Sequence, residues 1–104
     1  MTELHSREHL LGESGVIAWL ELQRHFARGV VLVADSALDF LDVATSLASD
    51  DVESTGAWTR KGLLHRATDE DARRWVEAQA TFRAVVVAPW VLVQELPSPE
   101  FEVR

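Results

Sequence analysis

The feature that most constrains the fold is an apolar run near the carboxyl end. Residues 84–93 read AVVVAPWVLV and contain no charged side chain. Valine is β-branched and favours strands, and an unbroken apolar run is typical of a strand buried on both faces. Pro89 lacks a backbone N–H and cannot complete a strand ladder. We therefore expect a central strand over residues 83–94, with a kink at Pro89.

The rest of the chain alternates between helical and strand patterns. Helical periodicity covers residues 3–28, and a short β-branched run covers residues 30–33. A helix capped by Ser36, a short helix over residues 52–61 and a strand over residues 63–66 follow. The next helix is capped by Thr68, with Asp71 at the spacing of a capping box. The order α-β-α-α-β-α-β predicts an α+β fold, with a small three-stranded mixed sheet packed by about four helices and the last strand central. Residues 1–96 are expected to form one domain, and residues 97–104 a flexible tail.

The composition excludes several kinds of chemistry. The 104 residues include no cysteine, which rules out disulfides and thiolate metal sites. A net charge of -7 disfavours binding to nucleic acid and to anionic membranes, so we expect neither partner. The longest apolar run is shorter than the ~20 residues of a membrane-spanning helix. The polar amino terminus lacks a signal-peptide core, and a cytoplasmic location is expected.

Acidic residues follow the first predicted strand. Asp35 stands at the strand end and Asp39 lies within the next turn. Carboxylates at the start of a helix after a strand are common ligands for small molecules and hard cations. Helix capping and a solvated face explain the same residues. Asp35 is the first candidate ligand-binding residue and Asp39 the second.

Other residues are candidates for contacts with a protein partner. Arg60 and Lys61 belong to a basic group that also includes His65, Arg66, Arg73 and Arg74. Such a group could receive a phosphate, a nucleic acid or an acidic partner, or it could pair locally with the acidic residues 69–71. Trp90 either anchors a partner beside the expected kink or belongs to the core.

The amino-terminal sequence HSREH matches the H-x-x-E-H pattern of one class of zinc peptidase. The spacing of His5 and His9 allows both imidazoles to share a helix face, but catalysis also needs a third ligand. We expect a solvated terminal turn, with His5 and His9 as weak candidates for adventitious zinc or nickel. No glycine-rich phosphate loop or nucleophile turn is present, so we expect no cofactor and no catalytic residue.

Three segments resemble a known family. They are residues 17–22 (IAWLEL), residues 25–29 (HFARG) and residues 84–95, in which PWVLVQ is the most specific part. This chain is similar to small bacterial proteins catalogued as domain of unknown function 2288. The resemblance runs from about Leu10 to Glu95, more loosely through residues 38–44, and Thr55-Gly56 departs from the helix formers expected before Trp58. The resemblance implies a bacterial cytoplasmic origin and no assigned activity.

The sequence thus leaves two main functions open, with nucleic-acid binding through the basic residues Arg60, Lys61, Arg66, Arg73 and Arg74 as a third hypothesis. We expect a non-catalytic interaction or regulatory module whose partner is another protein or a second copy of the chain, forming a homodimer. Small size, an apolar sheet and the lack of a catalytic constellation favour this reading. The alternative is a protein or enzyme that binds a small ligand or divalent cation through the acidic residues after the first strand.

Overall fold

The computed structural model describes residues 7–97, with side chains from residue 10 onward. Helices and strands follow one another in the order α-β-α-β-α-α-β-α-β-β. They are α1 (Arg7–Glu13), β1 (Gly15–Ala18), α2 (Trp19–Ala27), β2 (Val31–Ala34), α3 (Phe40–Ala48), α4 (Val52–Arg60), β3 (Leu64–Arg66), α5 (Asp69–Ala78), β4 (Thr81–Val87) and β5 (Trp90–Glu95).

The strands form one mixed sheet in the order β1-β4-β5-β2-β3. The pairs β1–β4, β4–β5 and β2–β3 are antiparallel, while β2 and β5 are parallel, with Val31 opposite Val91. The molecule is α+β, but the prediction of a three-stranded sheet with about four helices is wrong. The described residues hold five strands and five helices, and β5 is the middle strand of the sheet.

Part of the difference arises in the valine-rich run. The predicted single strand is two antiparallel strands, β4 and β5, joined at Ala88-Pro89 with Val87 opposite Trp90. The Ala88–Pro89 peptide bond is cis. Proline is excluded from a central ladder and favoured in turns, so the chain reverses at Pro89 instead of kinking there.

The other missing strand lies inside the predicted first helix. After α1 the backbone extends, and β1 pairs with β4 so that Ile17 lies opposite Phe82. Gly12 and Gly15 weaken a helix, and β-branched Val16 and Ile17 suit a strand. Pairing with β4 therefore overrides the helical spacing of the apolar residues.

Helix starts follow the capping rules, with one correction. Thr68 caps α5 as predicted, and the backbone N–H of Thr68 donates in return to the carboxylate of Asp71 at 3.0 Å. The cap of α3 is Asp39, not Ser36, and its Oδ1 accepts from the backbone N–H of Asp42 at 3.0 Å. Because the chain turns at Asp35 before entering α3, that helix starts one turn later than the sequence pattern indicates.

Helices cover both faces of the sheet. On the front face, residues of α1, α3 and α4 pack against Ala34, Val85 and Leu92. On the rear face, α2 and α5 pack against Val31, Ala84 and Val93, together with an aromatic group. In that group the ring centroids of Trp75 and Phe82 are 4.9 Å apart, those of Trp19 and Trp75 are 5.8 Å apart, and those of Trp19 and Phe26 are 5.6 Å apart. Two apolar layers therefore hold the sheet, as a strand buried on both faces requires.

The tail predicted at residues 97–104 falls outside the described residues, except for Pro97. Within the described chain, no helix has the length and apolar character needed to cross a membrane.

Candidate functional site

A cleft of about 490 Å³ opens where β2 and β5 end. Because these two neighbouring strands are parallel, their carboxyl ends meet at one edge of the sheet. In α/β sheets, ligands bind outside the carboxyl ends of parallel strands. We call this the carboxyl-edge cleft; it is lined by Val33, Ala34, Asp35, Ser36, Gly62, His65, Arg74, Glu95, Leu96 and Pro97.

Asp35, the first candidate ligand-binding residue, lines the carboxyl-edge cleft together with His65 and Arg74 of the predicted basic group. It directly follows β2, and its Oδ1 accepts from the backbone N–H of Ala37 at 2.8 Å, which fixes a tight turn. The side-chain amide of Gln94, on β5, donates to the carbonyls of Asp35 and Leu38 at 3.0 and 2.8 Å. The turn that carries Asp35 is therefore tied to the neighbouring strand.

Asp71 organises the charged side of the cleft from the first turn of α5. Its Oδ2 lies 2.9 Å from Nε2 of His65 and 3.0 Å from the backbone N of Thr68, and its Oδ1 lies 3.2 Å from Arg74. Burial raises the pKa of Asp71, but hydrogen bonds from Thr68, His65 and Arg74 outweigh it and hold that pKa below its ordinary value. Asp71 is therefore an ionised acceptor at neutral pH.

The ionised Asp71 fixes the hydrogen bonding of His65. A carboxylate only accepts, so Nε2 of His65 carries the proton that it donates to Asp71. In the neutral imidazole, Nδ1 then keeps its lone pair. The side chain is 43% exposed and lines the cleft, so it is accessible to a ligand.

Glu95, at the end of β5, contacts both the core and the charged side chains of the cleft. Its Oε1 accepts from the indole N–H of the fully buried Trp75 at 3.1 Å and lies 3.6 Å from the guanidinium of Arg74. Arg74 spans Asp71 and Glu95, yet its side chain is 56% exposed. Side chains from β3, α5 and β5 and the turn after β2 thus meet at one cleft.

Sequence reasoning placed His65 and Arg74 in a basic group but did not connect them with Asp71 or with Glu95. The capping-box spacing pointed to Asp71 as a helix cap, but no spacing rule links it to a histidine on an edge strand or a glutamate at the end of β5. Asp39, the second candidate, acts as the cap of α3 and does not line the cleft.

The candidate partner contacts lie elsewhere. Trp90 is half-buried at the start of β5, and the guanidinium of Arg66 lies 5.2 Å from its ring centroid. Arg60 and Lys61 are exposed at the end of α4, on the front face, whereas the arginines of α5 belong to the rear face. The basic group of the sequence is therefore divided between two faces of the sheet.

Metal ligation has little geometric support in the part of the chain that is described. No three histidine or acidic side chains within it are arranged to hold a metal ion. The candidate His5, and the side chain of His9, lie outside the described residues.

A second depression separates the start of α2 from the end of α5. This α2–α5 groove has a volume of about 300 Å³ and is mainly apolar; it is lined by Ala18, Trp19, Leu20, Trp75, Val76, Gln79 and Ala80. Leu20 is 79% exposed, and Val76 is also exposed.

Comparisons with known proteins relate the chain to one family and to a solved structure. A search of curated proteins gives no match. The chain is similar to a structure solved in solution by NMR, PA1075 from Pseudomonas aeruginosa. Sequence identity is 45%, the match covers 93% of this chain and 89% of the other, and the TM-score is 0.80. The model of the family described as protein of unknown function (DUF2288) matches residues 5–95, so the chain belongs to that family.

Proposed function

We propose that this protein binds a small polar ligand in the carboxyl-edge cleft. The observation that carries the proposal is the convergence of Asp35, His65, Arg74 and Glu95 from four separate segments of the fold. The volume of about 490 Å³ falls within the range of small-molecule sites, about 300–1,000 Å³. The proposal assigns binding and no reaction.

The exposure of these groups supports ligand binding over a purely structural role. In a buried structural network the polar atoms would all form hydrogen bonds with other protein groups, as those of Asp71 do. His65 and Arg74 instead keep about half of their side chains open to solvent. A ligand that replaces water at these groups gains hydrogen bonds in a partly enclosed space.

A thermal-shift screen with a library of polar metabolites tests the proposal. A ligand that binds only the folded chain raises the unfolding midpoint. Ser36→Phe puts a large side chain at the cleft, while Ala37→Phe, one residue further, is the matched control outside the lining. We expect stabilisation of the wild type and of Ala37→Phe, and its loss in Ser36→Phe. Equal stabilisation of Ser36→Phe, or no effect from any class of metabolite, would contradict the proposal.

A second candidate function is self-association through the α2–α5 groove, in keeping with an interaction module. The specific observation is the pair of exposed apolar residues, Leu20 and Val76, at a groove that already contains Trp19. Exposed apolar surface of this kind marks contact sites. In a symmetric dimer, the exposed apolar side chains of each copy would be buried against those of the other.

Sedimentation tests this second candidate. The wild type should sediment as a dimer of the 11.6 kDa chain, and Leu20→Glu should not. Val52→Glu, at an equally exposed valine on α4, is the control and should remain a dimer. A wild-type monomer at 100 µM would exclude self-association.

The similar structure comes from a bacterium, which supports a bacterial origin for this chain. We keep the cytoplasm as its proposed location, since a chain without cysteine fits a reducing compartment.

A further inference from the structure

The carboxyl-edge cleft offers a ligand more hydrogen-bond acceptors than donors. Since Nε2 of His65 donates to Asp71, its Nδ1 is an acceptor whenever the ring is neutral. That nitrogen has no hydrogen-bond partner among the described residues. Because His65 lines the cleft, a neutral ring can offer this lone pair to a ligand.

Two carboxylates add further acceptors. Asp35 uses Oδ1 for its own turn, and Glu95 uses Oε1 for Trp75 and Arg74. Within the described part of the chain, Oδ2 of Asp35 and Oε2 of Glu95 accept no hydrogen bond. Both residues line the cleft, so a ligand bound there lies beside two carboxylates that each have an acceptor oxygen to spare.

The positively charged side chain of the cleft, Arg74, already interacts with two carboxylates of the protein. Arg74 lies between two carboxylates, 3.2 Å from Asp71 and 3.6 Å from Glu95. Its positive charge is set against three negative charges: those of Asp35, Asp71 and Glu95. An anionic ligand would have to compete with Asp71 and Glu95 for Arg74, whereas a cationic ligand meets an excess of negative charge.

We propose that the ligand of the carboxyl-edge cleft is a small organic cation, with a primary ammonium or guanidinium group that donates to His65, Asp35 and Glu95. This inference rests on the proposed ligand-binding function and adds the chemical class of the ligand. An ammonium group has three donors and no acceptor, which matches three acceptors from three elements. The mixed lining, with Val33, Leu96 and Pro97, suits a short aliphatic chain behind the charged group.

Three compounds with the same five-carbon chain isolate the effect of charge. Isothermal titration of the full-length chain with 1,5-diaminopentane, 1,5-pentanediol and glutarate compares a cation, a neutral molecule and an anion. We expect the diamine to bind at least tenfold more tightly than the diol, and glutarate not to bind. Equal binding of diamine and diol, tighter binding of glutarate, or no binding of the diamine at millimolar concentration would overturn the inference.

Conservative variants locate the effect. Asp35→Asn and Glu95→Gln each remove one negative charge and keep an oxygen at the same place, so the turn of Asp35 and the bond from Trp75 retain an acceptor. Each should weaken diamine binding at least fivefold. Glu77→Gln removes an exposed charge of α5 that does not line the cleft, and it should bind as the wild type does. Equal weakening by Glu77→Gln would mean that the diamine responds only to the overall charge of -7.

The outcomes separate this inference from the proposed function. If glutarate binds and Ser36→Phe abolishes that binding, the cleft is a ligand site and the cationic class is wrong. If the metabolite library gives no stabilisation and none of the three compounds binds, both proposals fall.

Discussion

Asp71 joins three parts of the molecule through two oxygens. Oδ2 meets His65 on β3 and the N-cap of α5, and Oδ1 meets Arg74 one turn further along α5. A carboxylate with several donors of this kind is stabilised in its ionised form in spite of its burial. The same contacts that cap the helix therefore orient the exposed side chains of His65 and Arg74 at the cleft.

We predict that Asp71→Asn lowers the free energy of unfolding by about 1–3 kcal/mol at pH 7, because charge-assisted bonds and the cap are weakened. The folded-state pKa of Asp71 lies below its ordinary value of 3.8. The stabilisation from ionised Asp71 is therefore fully present above the ordinary pKa. It is lost as the pH falls through the lower pKa of the folded state. Urea unfolding of both proteins from pH 7 to pH 3 checks this. A difference that stays constant over the whole range would contradict the role given to Asp71.

We also predict the tautomer of His65. In the neutral ring of the wild type the proton should reside on Nε2, because ionised Asp71 can only accept. In Asp71→Ala this preference should disappear and both tautomers should be populated. Nitrogen NMR of the labelled imidazole distinguishes the two ring nitrogens. A wild-type ring protonated on Nδ1 would remove the lone pair from the cleft and contradict the inferred ligand class.

At the scale of elements, the β4–β5 hairpin supplies most of the buried sheet. Val85 and Leu92 face the front core, while Ala84 and Val93 face the rear core. Phe82, on β4, is fully buried against Trp75. The hairpin thus anchors both layers, and it holds Glu95 at the cleft.

We predict a sharp contrast between two positions of β4. Phe82→Ala should cost about 3–5 kcal/mol, because it removes a fully buried ring and leaves a cavity. Val86→Ala, on the same strand but 66% exposed, should change the free energy of unfolding by less than about 1 kcal/mol. Chemical unfolding measures both. A similar cost at the two positions would mean that the assignment of the strand faces is wrong.

Local signals predicted some elements well and others badly. Thr68 and Asp71 mark the start of α5, because a capping box involves only neighbours in sequence. The hairpin and β1 were missed for one reason: a strand pair depends on a distant partner. Nothing near Pro89 distinguishes a kink from a reversal without β4 to pair with β5, and Ile17 fits a helix until Phe82 lies opposite it.

At the scale of the whole molecule, the cleft is a consequence of topology. Its four charged or ionisable residues are spread from position 35 to position 95, and they meet because β2 and β5 are parallel neighbours while α5 packs beside them on the rear face. The sequence indicated Asp35, since a carboxylate that follows a strand is a local pattern. The sequence also placed His65 and Arg74 in a basic group. Their meeting with Asp35 and Glu95 depends on strand order, which no local pattern contains.

The location of a bound ligand tests the central claim most directly. Titration of the ¹⁵N-labelled full-length chain with 1,5-diaminopentane, followed by amide NMR, reports where binding occurs. Our account predicts that the largest changes fall on residues 33–36, 62–65 and 94–96, and that Ser36→Phe abolishes them. Changes centred on Leu20 and Val76 in the α2–α5 groove, or spread evenly over acidic side chains far from the cleft, would contradict it.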